Sequence, residues 1–295
     1  MKLSVTISTH ARAESLARLL RSLAPQLNSE VEVIVAENGT PAPVELASDL
    51  PAVTHLHDSR PGKCRVQNRA IQAARGEILV FLDDDLVVAP RYLEAVRTFF
   101  DSRHEFAAMA GRVLPAEDPA LKVGEQAAYL DLPIVDRGDS VIEVRGVIGA
   151  NMAFRASVLS KVGPFDERLG PGACGHEEET EMCARIRGAG CLIGYAPEAT
   201  VYHDVDPARA DRERFIRIAR ERGRCRMVHE RHSRPEVLTK CAIASARLKL
   251  ARALRLDIAR IAREERRLAV AEGMRDGLTA TIQRVESSSA SNSTP

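Results

Sequence analysis

Three adjacent carboxylates, Asp83-Asp84-Asp85, close the apolar stretch Ile78-Leu79-Val80-Phe81-Leu82. Like charges packed side by side repel and resist burial, so a compensating cation belongs beside them, and a divalent metal ion is the foremost candidate. Hard carboxylate oxygens suit Mg2+ or Mn2+, and Mg2+ is commonly held by one or two carboxylates together with substrate phosphates. The stretch before them is short, apolar and rich in branched side chains, as in a strand of a parallel sheet buried on both faces. Ligands of open α/β sheets bind beyond the carboxyl ends of such strands. A solvated acidic turn is the competing reading of the triplet taken alone.

Two other places carry groups of the same kind. His176-Glu177-Glu178-Glu179-Thr180-Glu181 opens a helical pattern. By itself such a cluster reads as an acidic first turn complementing a helix dipole; in a site it offers a general base. His203 follows the short apolar run Thr200–Tyr202 and reads either as a satisfied strand-end histidine or as a metal ligand. Lys63 and Arg65 either hold phosphate or are solvated.

These groups need a scaffold. Leu3–Ser8 and Val31–Val35 predict strands, and Val53–His57 a weaker one. Between them Leu16, Leu19, Leu20 and Leu23 mark one helical face, and Val66, Ala70, Ile71 and Ala74 another, closed by Gly76. This alternation predicts an α/β fold, a doubly wound mixed sheet flanked by helices. Further strands are expected over Phe106–Val113, Val141–Val147, Leu192–Tyr195 and Thr200–Tyr202, and helices over Ser157–Lys161 and Glu177–Arg187. Residues 211–272 read as helix, with Ile243, Ala246, Leu250, Leu254, Ile258, Ile261 and Leu268 as an apolar stripe among arginines. The Ser-rich end reads as disordered. The expected division is 1–206 catalytic domain, 207–272 basic helical extension and 273–295 tail.

The net charge of +1 hides an asymmetry. Residues 1–206 carry 21 Lys or Arg against 30 Asp or Glu, whereas residues 207–270 carry 19 against 8. Basic helices meet anionic lipid, nucleic acid or an acidic part of their own protein. No run approaches a membrane span, and the N-terminus enters a strand rather than a signal peptide, so a cytoplasmic protein is expected. The six cysteines are scattered with no CxxC pair and read as free thiols.

Several segments, in order over residues 3–204, resemble family 2 glycosyltransferases of the GT-A fold. Val5-Thr6-Ile7-Ser8-Thr9-His10-Ala11-Arg12 resembles the family's first strand and nucleotide loop, with His10 where Asn is usual. Ala36-Glu37-Asn38-Gly39-Thr40 resembles the second nucleotide segment, with Glu37 in place of Asp. The stretch from Pro61-Gly62-Lys63 through Arg65 and Asn68 to Gly76-Glu77 resembles the segment before the metal strand, and Asp83-Asp84-Asp85 matches the DxD motif. Gly149-Ala150-Asn151-Met152-Ala153-Phe154-Arg155, leading into Val162–Glu167, resembles the acceptor-side segment. His176–Arg185 is similar to the "ED…R" helix start, and Pro197–His203 to the closing strand.

By that resemblance Glu179 is the catalytic base and Glu178 the preceding acid. Asp85 and His203 hold Mn2+ or Mg2+, and Asp83 faces ribose or sugar. Thr9, Arg12, Glu37, Lys63, Asn68, Asp84 and Asn151 join in binding substrate. The expected reaction is a metal-dependent, inverting transfer from a UDP-, GDP- or dTDP-linked sugar to the hydroxyl of a polysaccharide, lipid-linked saccharide or metabolite. The alternative is a non-catalytic nucleotide-sugar-binding protein on the same fold. A nucleotidyltransferase would want a Gly-rich loop after the first strand, an oxidoreductase a GxGxxG, and nucleic-acid binding a reading element; none is found. The basic helices have three open readings: peripheral contact with the inner membrane face, a homodimer, or packing on the catalytic domain.

Overall fold

The computed structural model describes residues 1–291, with side chains through residue 279. Along the chain lie β1 (Leu3–Thr9), α1 (Ala13–Leu23), β2 (Val31–Asn38), β3 (Thr54–Asp58), α2 (Lys63–Ala73), β4 (Ile78–Asp83), β5 (Leu86–Val88), α3 (Tyr92–Ser102) and β6 (Phe106–Pro115). There follow α4 (Pro119–Val123), β7 (Ile142–Val144), β8 (Asn151–Arg155), α5 (Ala156–Val162), α6 (Glu178–Gly188) and β9 (Leu192–His203). Helices α7 (Arg212–His229), α8 (Arg234–Ala253) and α9 (Ile258–Ser291) complete it. The chain forms two compact units. The first is Met1–Asp118, Leu132–Ala173 and Glu178–Val205; the second is Pro119–Asp131, Cys174–Glu177 and the chain from Asp206 on.

The first unit is a mixed sheet in the order β3-β2-β1-β4-β8-β6-β9-β5, with β7 also paired to β9, flanked by helices as expected. Strands β3, β2, β1 and β4 run parallel, so their carboxyl ends align: Thr9 lies opposite Glu37 and Ser8 opposite Asp83. Strand β8 enters antiparallel beside β4, and β5 pairs antiparallel with β9 in a register that sets Leu86 opposite His203. That register delivers the end of β9 to the aspartate turn.

The period-2 alternation of β1 decides the packing. Leu3, Val5 and Ile7 are buried against one helical layer, in one core with Leu16, Leu19, Leu20 and Leu23 of α1. Each such leucine stabilises the fold by about 1.5–3 kcal/mol relative to its exposed state. The other face of the sheet holds Leu79, Phe81, Met152 and Phe154, with Phe165 edge-on to Phe81.

In the second unit the long basic helix expected over 211–272 is three helices. Ser233 caps α8, accepting from the Glu236 N–H with Pro235 in the first turn, and Asp257 accepts from the Arg260 N–H at the start of α9. These breaks reset the helical phase. The buried side of α8 is Val237, Ala244, Leu248 and Ala251, whereas Ile243, Leu250 and Leu254 of the expected stripe are exposed. Helices α7 and α9 approach closely at glycines: a Cβ on Gly223 would overlap the Val270 carbonyl, and one on Gly273 the Arg220 carbonyl.

Three further expectations are corrected. Cys174 and Cys225 form a disulfide within the second unit, so the six cysteines are not all free. The two cysteines lie 51 residues apart, and only folding brings them together. Leu192–Tyr195 and Thr200–Tyr202 are parts of one strand, whose pairing with β6 absorbs a register shift between Gly111 and Arg112. The backbone of residues 273–291, expected as a disordered tail, is helical; residues 292–295 of that tail lie outside the described residues.

Candidate active site

The parallel strands end where the chemistry gathers. The three aspartates at the end of β4 diverge in their partners. Asp83 accepts from the Lys63 ammonium at 2.6 Å. Asp84, buried, accepts from Thr9 Oγ1 at 2.6 Å and from Arg12 Nη1 at 3.0 Å. Asp85 accepts from Arg12 at 3.2 Å, and its Oδ1 stands 3.3 Å from His203 Nε2. Burial pushes the Asp84 carboxyl above its ordinary pKa, against the pull of Thr9 and Arg12. Arg12 remains half exposed at the opening, and its pKa is raised: desolvation opposes the charge, but Asp84 and Asp85 outweigh it.

Lys63 begins α2, where its backbone N–H donates to Pro171 O at 2.8 Å. Its Nζ, nearly enclosed, faces Glu178 at 3.8 Å as well as Asp83. Burial disfavours the ammonium, yet Asp83 and then Glu178 more than offset it, so its pKa is held above that of an ordinary lysine. One cation thus joins the carboxylate that ends β4 to the acidic start of α6. Glu178 is buried; Glu179 is half-buried, and its carboxyl is pushed up to about 8, first by desolvation and then by Glu178. Both stand in the first turn of α6, where a helix favours negative charge.

Not every expected residue reaches this opening. Asn151 is wholly buried: Oδ1 accepts from the Tyr92 hydroxyl at 2.7 Å, and Nδ2 donates to the carbonyls of Arg112 and Ala199. Asn68 clamps the backbone of Phe165 from both sides, at 2.8 and 2.9 Å. Glu37, also fully buried, accepts from Thr40, from the Val44 N–H and pairs with His55 at 2.9 Å. The structure gives these three side chains protein partners that shape the loops around the site. His10 Nδ1 meets Asn38 O at 2.7 Å, tying the loop after β1 to the end of β2.

Sequence reasoning passed over the loop Leu169-Gly170-Pro171-Gly172, which closes over the start of α2. Gly172 has φ +84° and packs so closely on the Gly62 backbone that any Cβ would collide. The closely spaced Gly-Pro-Gly was the available signal. Glu177, the N-terminal neighbour of Glu178, belongs to the second unit, where Arg226 at 3.2 Å and His229 at 3.6 Å face it.

Asp85 and His203 suit a divalent cation. His203 Nδ1 lies 2.8 Å from Asp204 O, which only accepts, so Nδ1 carries the proton of the neutral ring and Nε2 presents a lone pair to Asp85. A lone pair and a carboxylate oxygen at this separation call for a cation or a proton between them. Among the described residues no group of three or more His, Cys, Asp or Glu side chains forms a metal cage. No helix among the described residues is long and apolar enough to cross a membrane.

Comparison with known proteins agrees with this geometry. The chain is 24% identical over 216 residues to a glucosyl-dolichyl phosphate glucuronosyltransferase of Haloferax volcanii, covering 69% of each. It is 28% identical over 213 residues to a pre-mycofactocin glycosyltransferase of Mycobacterium tuberculosis, but spans only 42% of that protein's length. A third relative, the succinoglycan biosynthesis protein ExoM of Rhizobium meliloti, is 28% identical over 247 residues, 78% of this chain and 75% of that one. Among solved structures, the mannosyltransferase PcManGT of Pyrobaculum calidifontis, in complex with GDP-Man and Mn2+, superposes with TM-score 0.52 at 16% identity. The match covers 98% of this chain and 79% of that one, and shows the likeness of fold. The model of glycosyl transferase family 2 matches residues 4–163, more than half of the chain, and the protein belongs to that family of glycosyltransferases.

Proposed function

We propose that the protein transfers a sugar from a nucleotide-diphospho-sugar to an acceptor hydroxyl with inversion, in a single cation-assisted displacement. The observation that carries this reading is the Lys63 ammonium shared between Asp83 and the Glu178–Glu179 turn, which gathers donor-side and acceptor-side carboxylates at one opening. Asp85 and His203 would hold Mn2+ or Mg2+, whose charge, when bound, offsets that of the leaving diphosphate.

The protein's own groups do the rest. Arg12 anchors the turn of Asp84 and Asp85, and its half-exposed guanidinium faces incoming phosphate. Lys63 fixes Asp83 for a donor hydroxyl. Glu179 takes the acceptor proton as the acceptor oxygen bonds to the anomeric carbon and the carbon–phosphate oxygen bond breaks. The electron pair leaves with the diphosphate, and the proton ends on Glu179. A base whose pKa lies near working pH is suited to this step. One displacement needs no second carboxylate as covalent nucleophile. The GDP-Man and Mn2+ of the Pyrobaculum structure support a diphospho-sugar donor and a cation. The glucosyl-dolichyl phosphate in the name of the Haloferax relative favours a lipid-linked acceptor over a free metabolite.

Calorimetry with UDP-, GDP- and dTDP-sugars tests the reading, each with Mn2+, Mg2+ or EDTA, on wild type and Asp85→Ala. Metal-dependent binding of one donor, lost in Asp85→Ala, is expected. Equal binding with EDTA, or in the variant, would refute the assignment of the metal-diphosphate site.

A further inference from the structure

Helix α8 reverses the usual polarity of a surface helix. About 110° round from its buried side stand Ile243, Leu250 and Leu254, which are 55%, 58% and 62% exposed, with Ala246 and Ala253 between them in sequence. Large aliphatic side chains grouped on one exposed face mark an interaction surface.

Its rim is cationic. Residues 237–256 contain five Lys or Arg and no Asp or Glu. At 100° per residue, Lys249 borders one side of the apolar face and Lys240 and Arg247 the other, and the exposed Arg255 follows Leu254 just past the end of the helix. Lys240, Arg247 and Arg252 pair with Glu236, Glu264 and Glu265, which leaves those carboxylates compensated, and all three cations are about half exposed. Long basic side chains in this position lay their stems along apolar surface and project their charge beyond it.

The occupant must accept both features. A second copy of the same face would satisfy the aliphatic side chains but bring like-charged rims together, Lys249 and Arg255 of one copy near those of the other. An anionic bilayer satisfies both, because acyl chains take the aliphatic groups while headgroup phosphates take the cations. We propose that this face of α8 docks the protein on an anionic membrane surface, with Ile243, Leu250 and Leu254 seated at the acyl boundary and the flanking Lys and Arg on phosphates. Such docking holds the enzyme where lipid-linked acceptors are found. The inference is independent of which donor is used.

The test is sedimentation of the full chain with phosphatidylcholine vesicles, with and without phosphatidylglycerol. Wild type is compared with the double variants Leu250→Gln/Leu254→Gln and Lys249→Glu/Arg255→Glu, with thermal melts confirming that each is folded. Binding to the anionic vesicles alone, weakened by salt, is expected. The charge variant should bind about fivefold more weakly, or worse, for each cation lost, and the leucine variant at least as weakly. No sedimentation with any vesicle, or undiminished binding of both folded variants, overturns the proposal. Light scattering that finds a dimer dissociated by Leu250→Gln/Leu254→Gln, without vesicle binding, assigns the face to a second copy instead. Donor calorimetry is unaffected by either result, so this failure is distinct from failure of the catalytic reading.

Discussion

Replacing Lys63 by Met removes the one cation that the structure places between Asp83 and Glu178. Methionine matches the length of the stem and keeps its packing. The Nζ is 2.6 Å from Asp83 and 3.8 Å from Glu178, and the lysine and Glu178 side chains are only 11% and 6% exposed. Removing one partner of a buried pair leaves the other charge uncompensated and typically costs about 3–5 kcal/mol. Asp83 is 30% exposed and keeps part of its hydration, so the lower end, about 3 kcal/mol, is expected. The pH dependence separates charge from packing. Because the folded-state pKa of Lys63 is raised, its contribution is fully present below the ordinary lysine value and is lost only as pH rises through the folded value. In the variant, protonating the neighbouring carboxylates removes the need for a cation, so the deficit should shrink in acid. Urea unfolding of both proteins at about pH 7 and about pH 4 measures this, provided the slope is unchanged. Equal midpoints near neutrality, or the same deficit at both pH values, would show that Lys63 contributes no charge compensation and would undo the reasoning that links the two carboxylate sets.

Four other outcomes are expected. Glu179 must be ionised to accept a proton, so kcat/KM for the free enzyme should climb about tenfold per pH unit up to about 8 and then level off; a flat profile from about pH 6 removes Glu179 as the base. Its raised pKa also means that this side chain holds more proton in the folded chain than in the unfolded one between 4.5 and about 8; relative to Glu179→Gln, the wild type should lose stability as pH rises through that window, and a constant difference between the two would remove the shift. Gly273→Ala forces a methyl into the Arg220 carbonyl and should cost about 1–3 kcal/mol or more in a thermal melt, whereas Gly188→Ala, with open space around it, should cost little. Cys225→Ser opens a loop closed across 51 residues and should destabilise the chain by about 2–4 kcal/mol under oxidising conditions; no change would mean that the bond does not form in solution.

Local patterns foretold the elements well where the physics is local. The leucine face of α1, the strand 78–82 and the Gly-terminated helix after Glu178 are written in spacing and in helix-end signals. Asn151 and Glu37 show what local patterns leave open. Their types suit substrate contact, but burial turns them toward Tyr92, His55 and backbone carbonyls or amides, because an enclosed amide or carboxylate must be satisfied wherever the chain leaves it. The stripe from Ile243 to Leu268 has helical period, yet period does not say which side faces protein, and the break before Asp257 separates its two halves.

What the sequence alone determined is therefore the set of charges and the strands that carry them: an aspartate triplet ending a buried strand, an acidic helix start, a histidine after the last strand and a basic C-terminal region. Those follow from composition and period, which act over a few residues. The tertiary structure alone decided which charges meet. Lys63 finds Asp83 and Glu178, 20 and 115 residues away, and Asp85 finds His203, because the order and register of β4, β5 and β9 bring distant chain ends together. It also decided that Cys174 meets Cys225 and that the aliphatic side of α8 is exposed. Coulomb attraction and desolvation depend on distance in space, and sequence separation carries no information about that distance until the sheet is built.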